Sequence, residues 1–337
     1  MKKTKLSTIE SKQKEICVVF GSEASSDKEN SEEEDDGDES YDDDEEPYYD
    51  SDEDKEKLFN TKDELSEAQL KNFKLCSVIG KGSFGKILLA KDKHGQLHII
   101  KRIRKDVLEN SKMMDKIHFE MKIMSKVKSP FLMQLNHFFE SDLRYYLFMD
   151  FMAGKDLYTQ LNRLPEGFKL SQIKFIAAQI VIGLDKLHSS GYVHKDIKTE
   201  NVMIEHSGYV QIGDFGLACE YGDSTNSFKS GSPLYMSPEV FDDNEFATTY
   251  QVDWWALGII LYELHYKKSP FFSERISMIH DRGEALEELG KLTTNTDLEF
   301  PPDIEQGRES EYKKFKSLIK KLLVKDPEKR LGYSEDG

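Results

Sequence analysis

Apolar positions along the chain change their spacing more than once. From Phe73 the pattern is short and strand-like: residues 73–79, 86–91 and 97–101 read as strands. They are separated by the glycine-rich stretch 80–85 and by Asp92-Lys93-His94-Gly95, a hairpin turn signal. A helical stripe follows, with Met114, Ile117, Met121 and Met124 recurring at three- and four-residue spacing. Residues 145–151 read as a buried strand. Beyond Gly154 the periodicity is mostly helical, notably over 171–188, 251–266 and 311–324. The expectation is an α+β chain: a β-rich small lobe over 73–150, then a helix-rich larger lobe over 154–337. No internal repeat is visible.

Charge sharpens this division. The 337 residues carry a formal net charge of −16, but residues 31–56 alone hold seventeen Asp/Glu and one Lys. The remainder, with 46 acidic and 46 basic side chains, is neutral. Like charges repel, and residues 21–57 have too little apolar surface to offset the entropy of ordering, so this segment is predicted to be disordered. Residues 1–20 are mixed and point nowhere. Ser31, Ser40 and Ser51 precede acidic residues, which suits acidophilic casein-type kinases. The segment reads first as a solvated tail; the alternative is a regulated arm that binds basic proteins. It would also repel a phosphate backbone, which argues against direct nucleic-acid binding. At 38% hydrophobic and 11% aromatic, the chain as a whole can build a sizeable core.

Cys17, Cys76 and Cys219 are odd in number and far apart, so reduced thiols are expected rather than a disulfide framework or zinc site. The longest apolar run, 176–184, is too short to span a bilayer. No secretory signal is visible, and Lys2 after Met1 excludes N-myristoylation. The expected location is intracellular, cytoplasmic or nuclear.

Gly80-x-Gly82-x-x-Gly85 lies between two predicted strands. Glycines let backbone N–H groups approach phosphates closely. Alone the pattern is weak, but two rival readings fall away. A dinucleotide fingerprint needs a helix after the glycines, where residues 86–90 read as strand. A P-loop needs Ser or Thr where Ile87 stands. A strand–loop–strand cover over a nucleotide survives. Lys101 ends an apolar strand, where an ammonium is costly unless paired. Glu120 lies on the apolar stripe of its helix and is the natural partner; taken by themselves, the two residues fit a surface lysine and a glutamate at the stripe's edge better.

The decisive stretch is His194-Lys195-Asp196-Ile197-Lys198-Thr199-Glu200-Asn201, followed by Asp214-Phe215-Gly216. Phosphoryl transfer needs a carboxylate to orient and deprotonate the attacking hydroxyl, oxygen ligands for magnesium, and cations against developing phosphate charge. Asp196, the pair Asn201 and Asp214, and Lys198 with Lys101 supply those three. Capping or solvated loop positions would explain any one of these residues, but not all at these spacings.

With these motifs in this order, residues 73–332 resemble the eukaryotic protein kinase superfamily. The resemblance implies a bilobal fold with ATP in the cleft. Ile79, Gly80, Lys81, Gly82, Ser83, Phe84, Gly85, Lys86 and Ile87 would cover the phosphates. Lys101 would hold the α/β-phosphates while paired to Glu120, and Asp150, Met152 and Met203 would complete the ATP site. Asp196 would be the catalytic base, assisted by Lys198, with Asn201 and Asp214 binding Mg2+. Lys198 belongs to the serine/threonine version of the loop. Ser237-Pro238-Glu239 looks like the family's Ala-Pro-Glu element, implying a Glu239–Arg330 pair. Residues 253–258 match the helix supporting the catalytic loop. Met124, Leu135, His194 and Phe215 match the regulatory spine, with Asp253 beneath.

Ser129-Pro130-Phe131-Leu132, the segment 152–157, Trp254-Trp255 and the segment 297–301 resemble the AGC group, similar to cyclic-AMP-dependent kinase and its relatives. Asp156, Glu200 and Glu263 then match positions receiving basic substrate residues, with Ser232 also at the substrate. Protein substrates with basic residues upstream of Ser/Thr are expected, as is an upstream activating kinase. Several positions depart from the pattern. Lys195 replaces an arginine whose fork receives an activation-loop phosphate, so weaker dependence on that phosphate is expected. The phosphosite falls on Ser227 first and Ser230 next. Ile99 replaces an alanine above the adenine, predicting a narrower pocket. The chain ends at Gly337, before the last helix would finish and before the C-terminal tail of the AGC pattern, as a truncated sequence would. The rival from another class is a pseudokinase scaffold, against which stand Lys101, Asp196 and Asp214.

Overall fold

The computed structural model describes residues 73–82, 85–107, 114–141, 143–223, 230–302 and 308–333. Segments 1–20 and 21–57, together with Ser83, Phe84 and Ser227, lie outside the described residues. The described chain falls into two compact units, 73–107 with 136–149 and 114–135 with 150–333.

The first unit is a five-stranded sheet. Its strands are β1 (Lys74–Gly82), β2 (Gly85–Lys91), β3 (Leu97–Arg104), β4 (His137–Glu140) and β5 (Arg144–Asp150), in the order β1-β2-β3-β5-β4. The strand after the glycine stretch is therefore present, as the sequence pattern requires. The β2–β3 turn is built by Asp92, whose Oδ1 accepts from the amides of His94 at 2.9 Å and Gln96 at 2.8 Å, with Gly95 at φ +88°. One face buries Leu88, Ala90, Ile100, Phe139, Tyr146 and Phe148, with Phe73 and Leu75 packed against them. Strand alternation turns Ile99 and Lys101 to the opposite face, where they pair in register with Leu89 and Ile87.

The second unit is mainly helical. Helix α1 (Met114–Lys126) buries Ile117, Glu120, Ile123 and Met124, whereas Met121 is only half-buried. At 100° per residue the buried face is centred on Glu120 and Met121 falls at its edge, which corrects the expected stripe. Helices α2 (Leu157–Arg163) and α3 (Leu170–His188) follow, then two short antiparallel pairs. Strand β6 (Tyr192–Val193) pairs with β9 (Cys219–Glu220), and β7 (Val202–Ile204) with β8 (Val210–Ile212). Beyond α4 (Pro238–Phe241) comes α5 (Gln251–Tyr266), in which every residue from Gln251 to His265 except Trp254 is buried. An all-round apolar helix is a core helix. Helices α6 (Arg282–Asn295) and α7 (Glu309–Leu322) complete the unit; an added Cβ at Gly258 of α5 would lie 2.7 Å from Leu323. The expected Glu239–Arg330 pair is present. Arg330 Nη2 donates to Glu239 Oε2 at 2.9 Å, Nη1 donates to Oε1 and to the Gln251 carbonyl, and both side chains are fully buried. Cys76 and Cys219 are not joined in disulfides. No described helix is long and apolar enough to cross a membrane.

Candidate active site

Asp253, near the start of α5, organises the loop that carries the site. Its carboxylate accepts from the backbone amides of His194 at 2.8 Å and Lys195 at 2.9 Å, and from His188 Nε2 at 2.8 Å. Burial works to raise this carboxyl, but the His188 bond, nearby His194 and the amides outweigh it and hold it below its ordinary value. Lys195, thus anchored, sits at φ +66°, in the left-handed region. His194 is fully buried, its ring 5.1 Å from that of Phe215, and the Leu135 amide donates to the Met124 carbonyl.

This geometry presents Asp196 with both carboxylate oxygens engaged. Oδ1 accepts from the Ser232 amide at 2.9 Å. Oδ2 meets Lys198 Nζ at 3.1 Å and Asn201 Nδ2 at 3.1 Å, and Nδ2 also donates to the Asp196 carbonyl at 2.8 Å. Lys198 Nζ further donates to Ser232 Oγ at 2.8 Å. Burial opposes the Lys198 charge, yet Asp196 and Glu200 prevail and raise its pKa. Lys198 is therefore a fixed cation beside the carboxylate.

The turn Thr199–Asn201 and the β7–β8 pair bring the next motif alongside: the Gly213 amide donates to the Asn201 carbonyl at 2.9 Å. Asp214 follows at φ +61°, a conformation a non-glycine residue adopts at a cost of about 1–3 kcal/mol and one concentrated at functional sites. Nδ2 of Asn201 is committed to Asp196, so its amide oxygen, like the Asp214 carboxylate, is an oxygen donor of the kind a hard cation takes. Met203 bridges Asp156 across β7, the Gly154 amide donates to the Ile204 carbonyl at 2.8 Å, and Met152 is buried beside them.

The acidic positions are placed differently from one another. Asp156 caps α2, accepting from the Thr159 amide at 2.6 Å and its hydroxyl at 2.8 Å. Glu200 is half-buried, and burial raises its pKa. Glu263 is buried and accepts a hydrogen bond from the Tyr235 hydroxyl on Oε2 at 2.5 Å; burial, then Glu200, pushes its pKa up to about 8. Two members of this cluster, Thr199 and Tyr235, were not legible in the sequence. Thr199 Oγ1 lies 2.9 Å from the Tyr235 oxygen. Burial lowers the pKa of Lys195, the residue in place of the family's arginine. Ser230, the second phosphosite candidate, is half-buried at the end of its segment.

In the smaller unit, Gly80 and Gly82 lie on β1 and Gly85 opens β2, with Gly82 facing Gly85 across the hairpin tip. Ile79, Lys81, Lys86 and Ile87 flank that tip, Lys101 is on β3, and Asp150 ends β5. Glu120 belongs to the larger unit, on α1.

The chain is similar to known proteins over the same residues. Residues 73–335 match the protein kinase domain model. The chain is 34% identical over 267 residues to serine/threonine-protein kinase akt-1 of Caenorhabditis elegans, covering 78% of this chain and 46% of that protein. It is 32% identical to the RAC serine/threonine-protein kinase of Drosophila melanogaster, covering 81% and 42%. It is 33% identical to the cAMP-dependent protein kinase catalytic subunit of Dictyostelium discoideum, covering 80% and 38%. The chain thus spans less than half the length of these relatives. Both its motifs and its relatives place this chain in the protein kinase domain family, within the AGC group of eukaryotic serine/threonine kinases.

Proposed function

We propose that this chain transfers the γ-phosphate of magnesium-ATP to serine and threonine hydroxyls of proteins that carry basic residues upstream. One observation carries the reading: Asp196 is held at both oxygens by Ser232, Lys198 and Asn201, which fixes its carboxylate in one orientation. Asp196 orients the attacking hydroxyl and accepts its proton. Lys198, kept cationic by its neighbours, counters charge developing on the transferred group. Magnesium held by Asn201 Oδ1 and Asp214 would supply further positive charge against the phosphate oxygens. The glycine hairpin, with Lys101, Glu120, Asp150, Met152 and Met203, serves the nucleotide. Ile99 narrows the space available to the adenine.

The basic preference rests on Glu200 and Glu263, with Asp156 contributing from its cap. Ser227 and then Ser230 are the proposed acceptors for an upstream kinase, with dependence on that phosphate weakened by Lys195, which lacks the bidentate fork. The acidic side chains of residues 21–57 are proposed to meet basic proteins in an intracellular setting.

Turnover of magnesium-ATP on arrayed peptides tests the proposal. The wild type should favour basic peptides, and Asp196→Asn and Asp214→Ala should each abolish transfer with the circular-dichroism spectrum retained. Transfer that survives Asp196→Asn, or a preference for acidic peptides, overturns the corresponding part.

A further inference from the structure

The catalytic loop, the segment after Ser230 and helix α5 meet at one side chain. Thr199 is fully buried, and its hydroxyl lies 2.9 Å from the Tyr235 oxygen, 3.2 Å from Glu200 Oε2 and 3.4 Å from Glu263 Oε2. The Tyr235 proton is committed to Glu263 at 2.5 Å, so the tyrosine oxygen is open to accept. Thr199 has one proton and two close takers, Tyr235 and Glu200. Its β-branch holds the hydroxyl in a narrow set of rotamers.

We infer that Thr199 is a specificity-determining positioning residue, whose one hydroxyl proton, shared between Glu200 and the Tyr235 oxygen that serves Glu263, ties the two acids together as a paired receptor for a guanidinium on the substrate. The inference rests on the basophilic reading above. Among the described residues, the groups acting on Glu263 are Glu200, Tyr235 and Thr199, and none is a cation. Lys198 acts on Glu200 but is already bound to Asp196 and Ser232. Two carboxylates joined through hydroxyls and short of positive charge suit a planar, multi-donor cation. The upward displacement of Glu263 has the same origin, since burial and Glu200 disfavour its charge until a cation arrives. Thr199→Val keeps the shape and removes the proton donor, so the two carboxylates lose their common anchor.

The test uses the whole chain and two peptides that differ only by an upstream Arg replaced with Ala. The reading is the ratio of their KM values, with kcat measured beside it. Thr199→Val should shrink the ratio about tenfold, the effect of losing one hydrogen bond to a charged group. Thr199→Ser should restore it, and Tyr235→Phe should shrink it in the same direction. A wild type with equal KM for both peptides overturns the basophilic reading and this inference with it. A discriminating wild type whose Thr199→Val keeps the full ratio, or loses only kcat on both peptides, overturns this inference alone. Should Thr199→Val fail to fold, an undiminished ratio in Tyr235→Phe does the same.

Discussion

The backbone amide of Ser232 donates to Oδ1 of Asp196 at 2.9 Å, tying the proposed base to a segment 36 residues further along the chain. That amide is aimed by Gly231, which adopts φ +125°. An added Cβ there would lie 2.7 Å from the Lys195 carbonyl oxygen, a backbone atom with little room to move. Gly231→Ala should therefore break the Ser232–Asp196 bond and lower kcat about a hundredfold, the scale of misplacing a catalytic group by about 1 Å. The strain should also lower the melting temperature, so kcat is compared at a temperature where both proteins are folded. Steady-state kinetics beside a melting curve check it, and a variant with normal kcat would show that Asp196 does not need the Ser232 amide.

Glu263 gives the molecule a pH dependence of definite sign. Its carboxyl titrates at about 8 in the folded chain against an ordinary value of 4.5. Between those values the folded state keeps a proton that the unfolded chain has released. Stability is thus fully present below about pH 4.5 and falls as pH rises towards 8, by about 1.4 kcal/mol per pH unit for one such proton. Glu263→Gln removes that dependence, so the variant should gain on the wild type as pH rises from 5.5 to 7.5. Melting temperatures of both proteins across that range decide it; parallel curves would mean that Glu263 is charged in the fold.

What the sequence revealed of the site, and what it hid, follows from how each residue acts. Asp196, Asn201 and Asp214 were legible because chemistry restricts both their identity and their spacing along one stretch. Helix α5 was legible over 251–266, because a helix buried on all sides leaves a long apolar run. Glu120 was legible as a misfit on an apolar face, although Met121 beside it sits at that face's edge. Thr199 and Tyr235 were not: their meeting with Glu263 depends on packing among three distant segments. The Ser232 amide was equally hidden, since a backbone donor leaves no mark on residue identity. The left-handed backbone at Asp214 was hidden as well.

The Glu239–Arg330 pair predicts an asymmetric set of stabilities. The two side chains are 1% and 0% exposed, and the guanidinium also serves the Gln251 and Val324 carbonyls. Arg330→Met leaves Glu239 charged and buried without its partner, which costs about 3–5 kcal/mol. Combining it with Glu239→Leu removes the stranded charge and should recover part of the loss. Chemical denaturation of the two single variants and the double variant measures the coupling. Additive losses would show that the pair is not a unit.

The glycine hairpin carries the last prediction. Gly85 opens β2 opposite Gly82 and also pairs with Ile103 of β3. A Cβ built on it would fall 1.8 Å from the Arg102 carbonyl oxygen and 3.0 Å from the Ile103 Cα. These are backbone atoms of the adjoining strand, so no rotamer change relieves the overlap. Gly85→Ala must push β2 away from β3 at the tip of the hairpin, at a cost of about 1–3 kcal/mol or more. Gly80 differs, since a Cβ there would meet only the Ile87 side chain at 3.6 Å, an ordinary contact. Gly85→Ala should accordingly lower the melting temperature and raise the KM for ATP together, while Gly80→Ala should leave the melting temperature near that of the wild type. Equal melting temperatures for the two variants would contradict the close strand approach at Gly85.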